Sequence, residues 1–328
     1  MCIRDSANTM QDLILNSDRV FVMGHRFGDL DSIGSAAGIV GAVRLMNKEA
    51  FVVVDRKKNL ALQLVEMIEA NVEEKIFISP NEAVDYITQD DLLIIVDTHN
   101  KDFIESADLY KEARQVVVID HHRKTVNFID NAVIFHHEPY ASSASEMVTE
   151  LIQYFKLDDD NLASCYAEAL MAGIALDTKN FVMRTGVRTF EAAAFLRKIG
   201  ADTVVVKSLF SSSIETYQRK TKIVSSAIIH NRCAIAVTEM KSDDIRLICP
   251  QAADELLSIT NVDASFVIFR TGDIINISAR SLGAMNVQVI MECLGGGGHQ
   301  TMAAAQLENV TLQEADKLLR KAIDENTQ

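Results

Sequence analysis

The sequence predicts an α/β protein: a doubly wound, mainly parallel sheet (the first domain), followed by a smaller α/β domain with a glycine-rich loop. Three observations predict it. Short β-rich runs alternate with helical patterns through the first part of the chain, which is the rhythm of βαβ units. Those runs are apolar on both faces, as strands covered by helices on both sides must be. The alternation resumes, in a smaller set of elements, after a polar stretch beginning at Ser211.

In chain order, "RVFVMG", "AFVVVD", "KIFIS", "LLIIVD" and "QVVVID" read as buried strands. Between them, "SIGSAAGIVGAVRLM", "LALQLVEMIEA", "NEAVDYI" and "ADLYKEA" read as helices. From Ser143 to about Lys207 the pattern turns helical, in "SASEMVTELIQYF", "LASCYAEALMAGIALDT" and "VRTFEAAAFLRKIG". "SSSIETYQRK" (Ser211 to Lys220) reads as a linker. Beyond it, "AIIHNRCAIAVTE", "ASFVIFRTGDIINISAR" and a last helix, "LQEADKLLRKAIDE", make up the second domain. The expected division is therefore 12–210, a linker over 211–220, and 221–328. The leader "MCIRDS" lacks the apolar centre of a signal peptide and reads as foreign to the rest of the chain.

Composition narrows the function classes. The 328 residues carry a formal net charge of -14, which argues against a surface that grips duplex nucleic acid by neutralising phosphates. An anionic substrate would need local positive charge, and bound metal is one source of it. The five cysteines are scattered, with no CxxC pair, as in a reduced cytoplasmic protein. No apolar run approaches the ~18 residues of a membrane span.

Ligands of open α/β sheets gather beyond the carboxyl ends of the strands. Acidic and imidazole groups crowd such ends here: His25, Asp29 and Asp31 after the first strand, Asp97 after "LLIIV", and Asp120, His121 and His122 at "VIDHH". Taken alone, Asp31 could be only a helix cap. Three loaded strand ends are harder to explain that way, because close carboxylates raise one another's pKa and oppose folding. A cation removes that cost. An oxygen-rich set with a few imidazoles suits Mn, Mg or Fe better than a thiolate-type zinc site.

"VIDHH" is the signature of the DHH phosphoesterase family, which the chain resembles over nearly its whole length. "GHRFGDLDSIG", "VDTHN" and "ALDTKNF" match the family's other motifs in order, and "LGGGGHQTMAAAQL" looks like the glycine-rich motif of its associated C-terminal domain. The resemblance implies two metals, manganese in the first place, with Mg2+, Co2+ or Fe2+ as substitutes. His25, Asp29 and Asp97 would hold one. Asp31, Asp97, His121 and Asp177 would hold the other, with Asp97 bridging. Asp177 comes from the resemblance alone, since "AGIALDT" otherwise reads as a helix end. Asp120 would orient His121. His122 would touch a phosphate oxygen, and His122 and Arg123 are candidates to stabilise the leaving oxygen.

"DTKNFVMRTGVRTFEAAAFLRKIGAD" is most similar to the cyclic-di-AMP phosphodiesterases of the GdpP type. That resemblance implies hydrolysis of the cyclic dinucleotide to linear pApA. GdpP-type proteins carry membrane helices, a PAS domain and a degenerate GGDEF domain upstream, so the full-length protein is expected to be membrane-anchored, with this part in the cytoplasm. A homodimer is expected. The alternatives are an oligoribonuclease and pAp phosphatase acting on short RNA, and a non-catalytic nucleotide-binding module. The complete ligand set speaks against the last. In the second domain, Arg280 of "ISARS", the loop Gly295, Gly296, Gly297 and Gly298, and His299 are the candidate seat for a second phosphate or a base, because bare amides can approach an anion closely.

Overall fold

The computed structural model describes residues 3–157, 162–242 and 244–326. The chain divides into two compact units, one ending at Ser211 and the other beginning at Ser212.

The first unit is built on a six-stranded, all-parallel sheet of order β3-β2-β1-β4-β5-β6. Its strands are β1 (Arg19–Met23), β2 (Glu49–Val53), β3 (Phe77–Ile78), β4 (Leu92–Val96), β5 (Gln115–Asp120) and β6 (Ile134–His137). Alternate residues serve opposite cores: Val20 and Val22 of β1 face one, Phe21 and Met23 the other. That is why the strand runs are apolar throughout. The larger core lies under α1 (Ile3–Asn16), α2 (Leu30–Leu45), α3 (Leu62–Asn71), α6 (Ala144–Ile152) and α7 (Ser164–Asp177). The smaller one lies under α4 (Pro80–Tyr86) and α5 (Ala107–Glu112).

Three details depart from the sequence reading. The run "KIFIS" gives only the two-residue β3, because Ser79 and Glu82 form a capping box that starts α4 at Pro80. The short edge strand β6 had no clear signature, since two of its four residues are His136 and His137. The leader from Ile3 to Ser6 is the first turn of α1, and Ser6 is buried.

Helix α2 is buried around its whole circumference. Its glycines let α7 come close: a Cβ on Gly34 would lie 2.3 Å from the carbonyl of Ala169, and one on Gly41 2.7 Å from the ring of Tyr166. The contact brings the start of α2 beside the end of α7. Asp31 and Asp177 stand at those two ends.

Helices α8 (Val187–Lys198) and α9 (Thr203–Ser208) complete the first unit. The second begins with α10 (Ile214–Ser225), so the stretch expected as a linker is largely helical, started by the Ser213 cap on Thr216. Its mixed sheet has order β11-β12-β10-β9-β8-β7. The strands are β7 (Ile228–His230), β8 (Cys233–Thr238), β9 (Ala264–Thr271), β10 (Ile274–Ser281), β11 (Gly297–His299) and β12 (Met302–Glu308). Helices α10 and α11 (Ile245–Leu256) supply one core; α12 (Val287–Glu292) and α13 (Leu312–Asn326) supply the other.

Candidate metal centre

In the first sheet the chain order reverses between β1 and β4. This is the switch point, where loops on either side diverge and leave a crevice. His25 follows β1, Asp97 follows β4, and His121 follows β5. Asp97 has a left-handed backbone (φ 58°), uncommon outside glycine, although aspartate tolerates it better than most residues. From there its two oxygens part: Oδ2 lies 3.4 Å from His25 Nε2, and Oδ1 lies 3.5 Å from His121 Nε2.

Around His25, Asp29 Oδ1 approaches to 3.8 Å. Around His121, Asp177 Oδ2 lies at 3.2 Å and Asp31 Oδ2 at 3.8 Å. Asp29, not Asp31, caps α2: its Oδ1 accepts the backbone N–H of Asp31 and Ser32 at 3.0 and 3.1 Å. Asp31 sits in the first turn and accepts the N–H of Ala144 and Ser145, at 2.7 and 2.8 Å, from the start of α6.

The electrostatics are those of too many carboxylates in too little water. Burial lifts Asp31 well above the usual carboxylate range, and the charges of Asp97 and Asp177 add to the lift. Burial also disfavours imidazolium. Yet Asp29 and Asp97 push His25 up to about 10, and Asp177 and Asp97 push His121 up to about 11. The same imidazoles hold Asp97 below its usual range although burial works against them. Asp97 Oδ1 and both ring nitrogens of His121 are buried without a hydrogen-bond partner. Orphaned polar atoms of this kind are costly unless something satisfies them. Two sets, His25 with Asp29 and Asp97, and Asp31 with His121 and Asp177, each place their donor atoms within 4.8 Å of one another. All the donors are oxygen or imidazole nitrogen, so the residues fit hard divalent cations.

Residues 19–174 match the N-terminal domain of the DHH family, and residues 231–328 match the DHHA1 domain. The chain belongs to the DHH family. Cyclic-di-AMP phosphodiesterase PdeA of Listeria monocytogenes is 44% identical over 324 residues, which is 97% of this chain and 49% of that protein. Cyclic-di-AMP phosphodiesterase GdpP of Geobacillus thermodenitrificans is 44% identical over 323 residues, with the same coverage. The chain spans about half the length of the curated relatives it matches. An exopolyphosphatase-related protein from Bacteroides fragilis has the same fold, with a TM-score of 0.81 at 21% identity over 98% of this chain and 96% of that one.

Within the DHH domain, Asp120 does not do what the sequence reading expected. Its oxygens go to His99 and His122, and none reaches His121. The reason is local: Oδ1 turns back to accept both the backbone N–H and Nδ1 of His122, at 3.2 and 2.8 Å. Side-chain burial differs sharply across the pair, His121 being enclosed and His122 half-exposed. Arg123 is exposed and, among the described residues, makes no side-chain hydrogen bond or ion pair.

Sequence reasoning missed His99. It is buried, bonds Asp120 through Nδ1, and accepts the backbone N–H of Thr125 at Nε2 (2.9 Å). The signal was present, since His99 lies in "VDTHN" two residues after Asp97. Gly173 was also missed: a Cβ there would lie 2.1 Å from Ser145 Oγ and 2.7 Å from Asp31 Oδ1.

In the DHHA1 domain, Arg280 and His299 both sit opposite Met302 across adjacent strands, so all three occupy one face of the sheet. Arg280 is not open. Its Nε faces Asp254 at 3.3 Å, and Nη1 donates to the carbonyl of Ala279. The glycine run is not a free loop either: Gly295 (φ 73°) turns the chain out of α12, and Gly297 and Gly298 lie in β11. Gly296 and Gly298 run against β12, where a Cβ would meet backbone at 2.2 and 2.5 Å.

Proposed function

We propose that this chain is the catalytic part of a two-metal phosphodiesterase that opens cyclic-di-AMP to linear pApA. The observation that carries the reading is the split carboxylate of Asp97, one oxygen toward His25 and the other toward His121. The names of the relatives at 44% identity supply the substrate.

His25, Asp29 and Asp97 would hold one ion; Asp31, Asp97, His121 and Asp177 would hold the other. Manganese is the preferred ion, with Mg2+, Co2+ or Fe2+ as substitutes. When bound, such a pair lowers the pKa of a water and draws charge from the phosphoryl oxygens. The protein's residues supply the rest. Asp120 holds Nδ1 of His122, which leaves Nε2 of that half-exposed ring for a phosphate oxygen or the leaving 3′-oxygen. Arg123, beside it, adds positive charge. In the DHHA1 domain, Arg280 and His299 are the candidate seat for a phosphate or a base, with Asp254 giving up part of its hold on Arg280, whereas the N–H groups of Gly295 and Gly296 already donate to the carbonyls of Glu292 and Met291. No helix among the described residues is long and apolar enough to cross a membrane. We place the membrane anchor of the whole protein, with its PAS and GGDEF domains, upstream of this chain, and its working form as a homodimer.

The test is turnover of cyclic-di-AMP, pApA and pAp side by side, after chelation and after reloading with manganese. The reading expects cyclic-di-AMP to be the best substrate, no turnover after chelation, and recovery with manganese. Faster turnover of pAp than of cyclic-di-AMP would overturn the substrate. Tight binding of all three without turnover would overturn the chemistry.

A further inference from the structure

The loop between β1 and α2 carries more than metal ligands. The ring of Phe103 stacks on His25, with centroids 5.3 Å apart and planes 18° from parallel. The Arg26 guanidinium lies over that same Phe103, 5.1 Å from its centroid, and 5.3 Å from the centroid of Phe27. Phe27 and Phe103 are themselves 6.0 Å apart and tilted by 58°. The backbone N–H of Arg26 donates to the carbonyl of Phe103 at 2.9 Å, which ties the two loops together beneath the side chains. The result is a cluster of flat groups beside a candidate metal ligand: Phe103 stacks on His25, and Arg26 and Phe27 pack against Phe103 and against each other.

Two features of this cluster are unexplained by packing. Phe27 is 42% exposed, a large aromatic surface left in water beside a polar centre. Arg26 is exposed and, among the described residues, makes no side-chain hydrogen bond or ion pair, although Asp29 is three residues away in a chain of net charge -14. Stacking fixes the plane of a guanidinium while leaving its in-plane N–H donors unused. A planar cation with free donors, next to an exposed ring, matches a nucleotide: a base has a π-face to stack, and its phosphate takes the donors.

We propose that Arg26 and Phe27, supported by Phe103, form a nucleotide-recognition surface at the rim of the metal centre. The base stacks on the exposed Phe27–Arg26 faces, and a phosphate oxygen takes the free edge of Arg26. The proposal rests on the nucleotide-phosphodiester reading above and adds to it a substrate contact made by the DHH domain itself.

AMP binding to the manganese-loaded protein, followed by calorimetry, tests it without requiring turnover. Metal content is measured on the same samples. Arg26→Ala and Phe27→Ala should each weaken AMP binding about tenfold to a hundredfold, with manganese content unchanged. Arg26→Lys keeps the charge but not the plane, and should stay weakened. The same variants should raise KM for cyclic-di-AMP more than they lower kcat. Wild-type AMP affinity in Phe27→Ala, or full recovery in Arg26→Lys, would overturn the stacked surface. Loss of manganese in proportion to the loss of AMP would reduce the cluster to support for His25 and would also overturn the proposal. If the wild-type protein bound AMP through these residues but did not open cyclic-di-AMP, the surface would stand and the substrate assignment would fall.

Discussion

His99 donates its Nδ1–H to Asp120, and both side chains are shut away from solvent. The direction of that bond is set at the other ring nitrogen, where Nε2 accepts the backbone N–H of Thr125 and so cannot carry the proton. One neutral imidazole therefore fixes the carboxylate that holds His122, and also pins the loop from His121 to Thr125. Replacing it by leucine leaves a buried carboxylate and a backbone N–H short of partners. His99→Leu should cost about 3 kcal/mol of stability, read from the denaturant midpoint. It should lower kcat more than it raises KM, because His122 loses its orientation. Unchanged stability and kcat would remove His99 from the site.

Asp97 is proposed to serve two ions at once. Asp97→Asn should abolish nearly all turnover and drop bound manganese below two per chain, while the circular dichroism spectrum stays that of the folded protein. Elemental analysis of the reloaded variant reads the stoichiometry. Near-wild-type activity with two ions bound would refute the bridging role.

Gly173 matters through the space it leaves. Gly173→Ala would normally favour a helix by up to about 1 kcal/mol. Here the new methyl would press on Ser145 Oγ and Asp31 Oδ1. Overpacking of this kind costs roughly 1–3 kcal/mol, so the variant should be less stable and bind manganese more weakly. A more stable variant with full metal affinity would show that α7 can move aside without disturbing Asp31.

Glu105 gives a pH dependence with a definite sign. Burial lifts its pKa from 4.5 to about 7, and the nearby charge of Asp55 adds to the lift, although the Asp55 N–H bonded to its Oε1 works the other way. The folded state thus holds a proton that the unfolded chain has already released between pH 4.5 and 7. Stability contributed by that proton is full below 4.5 and is lost as pH rises through about 7. Glu105→Gln keeps an acceptor for the Asp55 N–H and removes the titration. It should match the wild-type melting temperature near pH 4.5 and exceed it at pH 8. An offset independent of pH would contradict the shift.

The strands β1, β2, β4 and β5 were legible because residues buried on both faces leave an unbroken apolar run. Strand β6 was not, since four residues with two histidines carry too little pattern. The crowding of His25, Asp29, Asp31, Asp97 and His121 could be read from residue type and strand ends. Asp177 could not: nothing in a helix C-terminus tells which helix start it meets, and that meeting depends on the glycine contacts of α2 with α7. The partners of Asp120 were misjudged for the same reason. Sequence adjacency pointed to His121, whereas the turn after β5 aims Asp120 at His122 and at a residue 21 positions earlier. The glycine run read as a loop because glycine commonly marks turns. Its close approach to β12 is a tertiary fact.

Loaded with metal, this chain is proposed to open a cyclic dinucleotide at a centre bridged by Asp97. Incubating the manganese-loaded protein with cyclic-di-AMP and resolving the products by chromatography over time tests it most directly. The expected first product is pApA, formed by the loaded protein and absent from the chelated protein and from Asp97→Asn. Persistence of intact cyclic-di-AMP with the fully loaded protein, or equal pApA formation by Asp97→Asn, would contradict it.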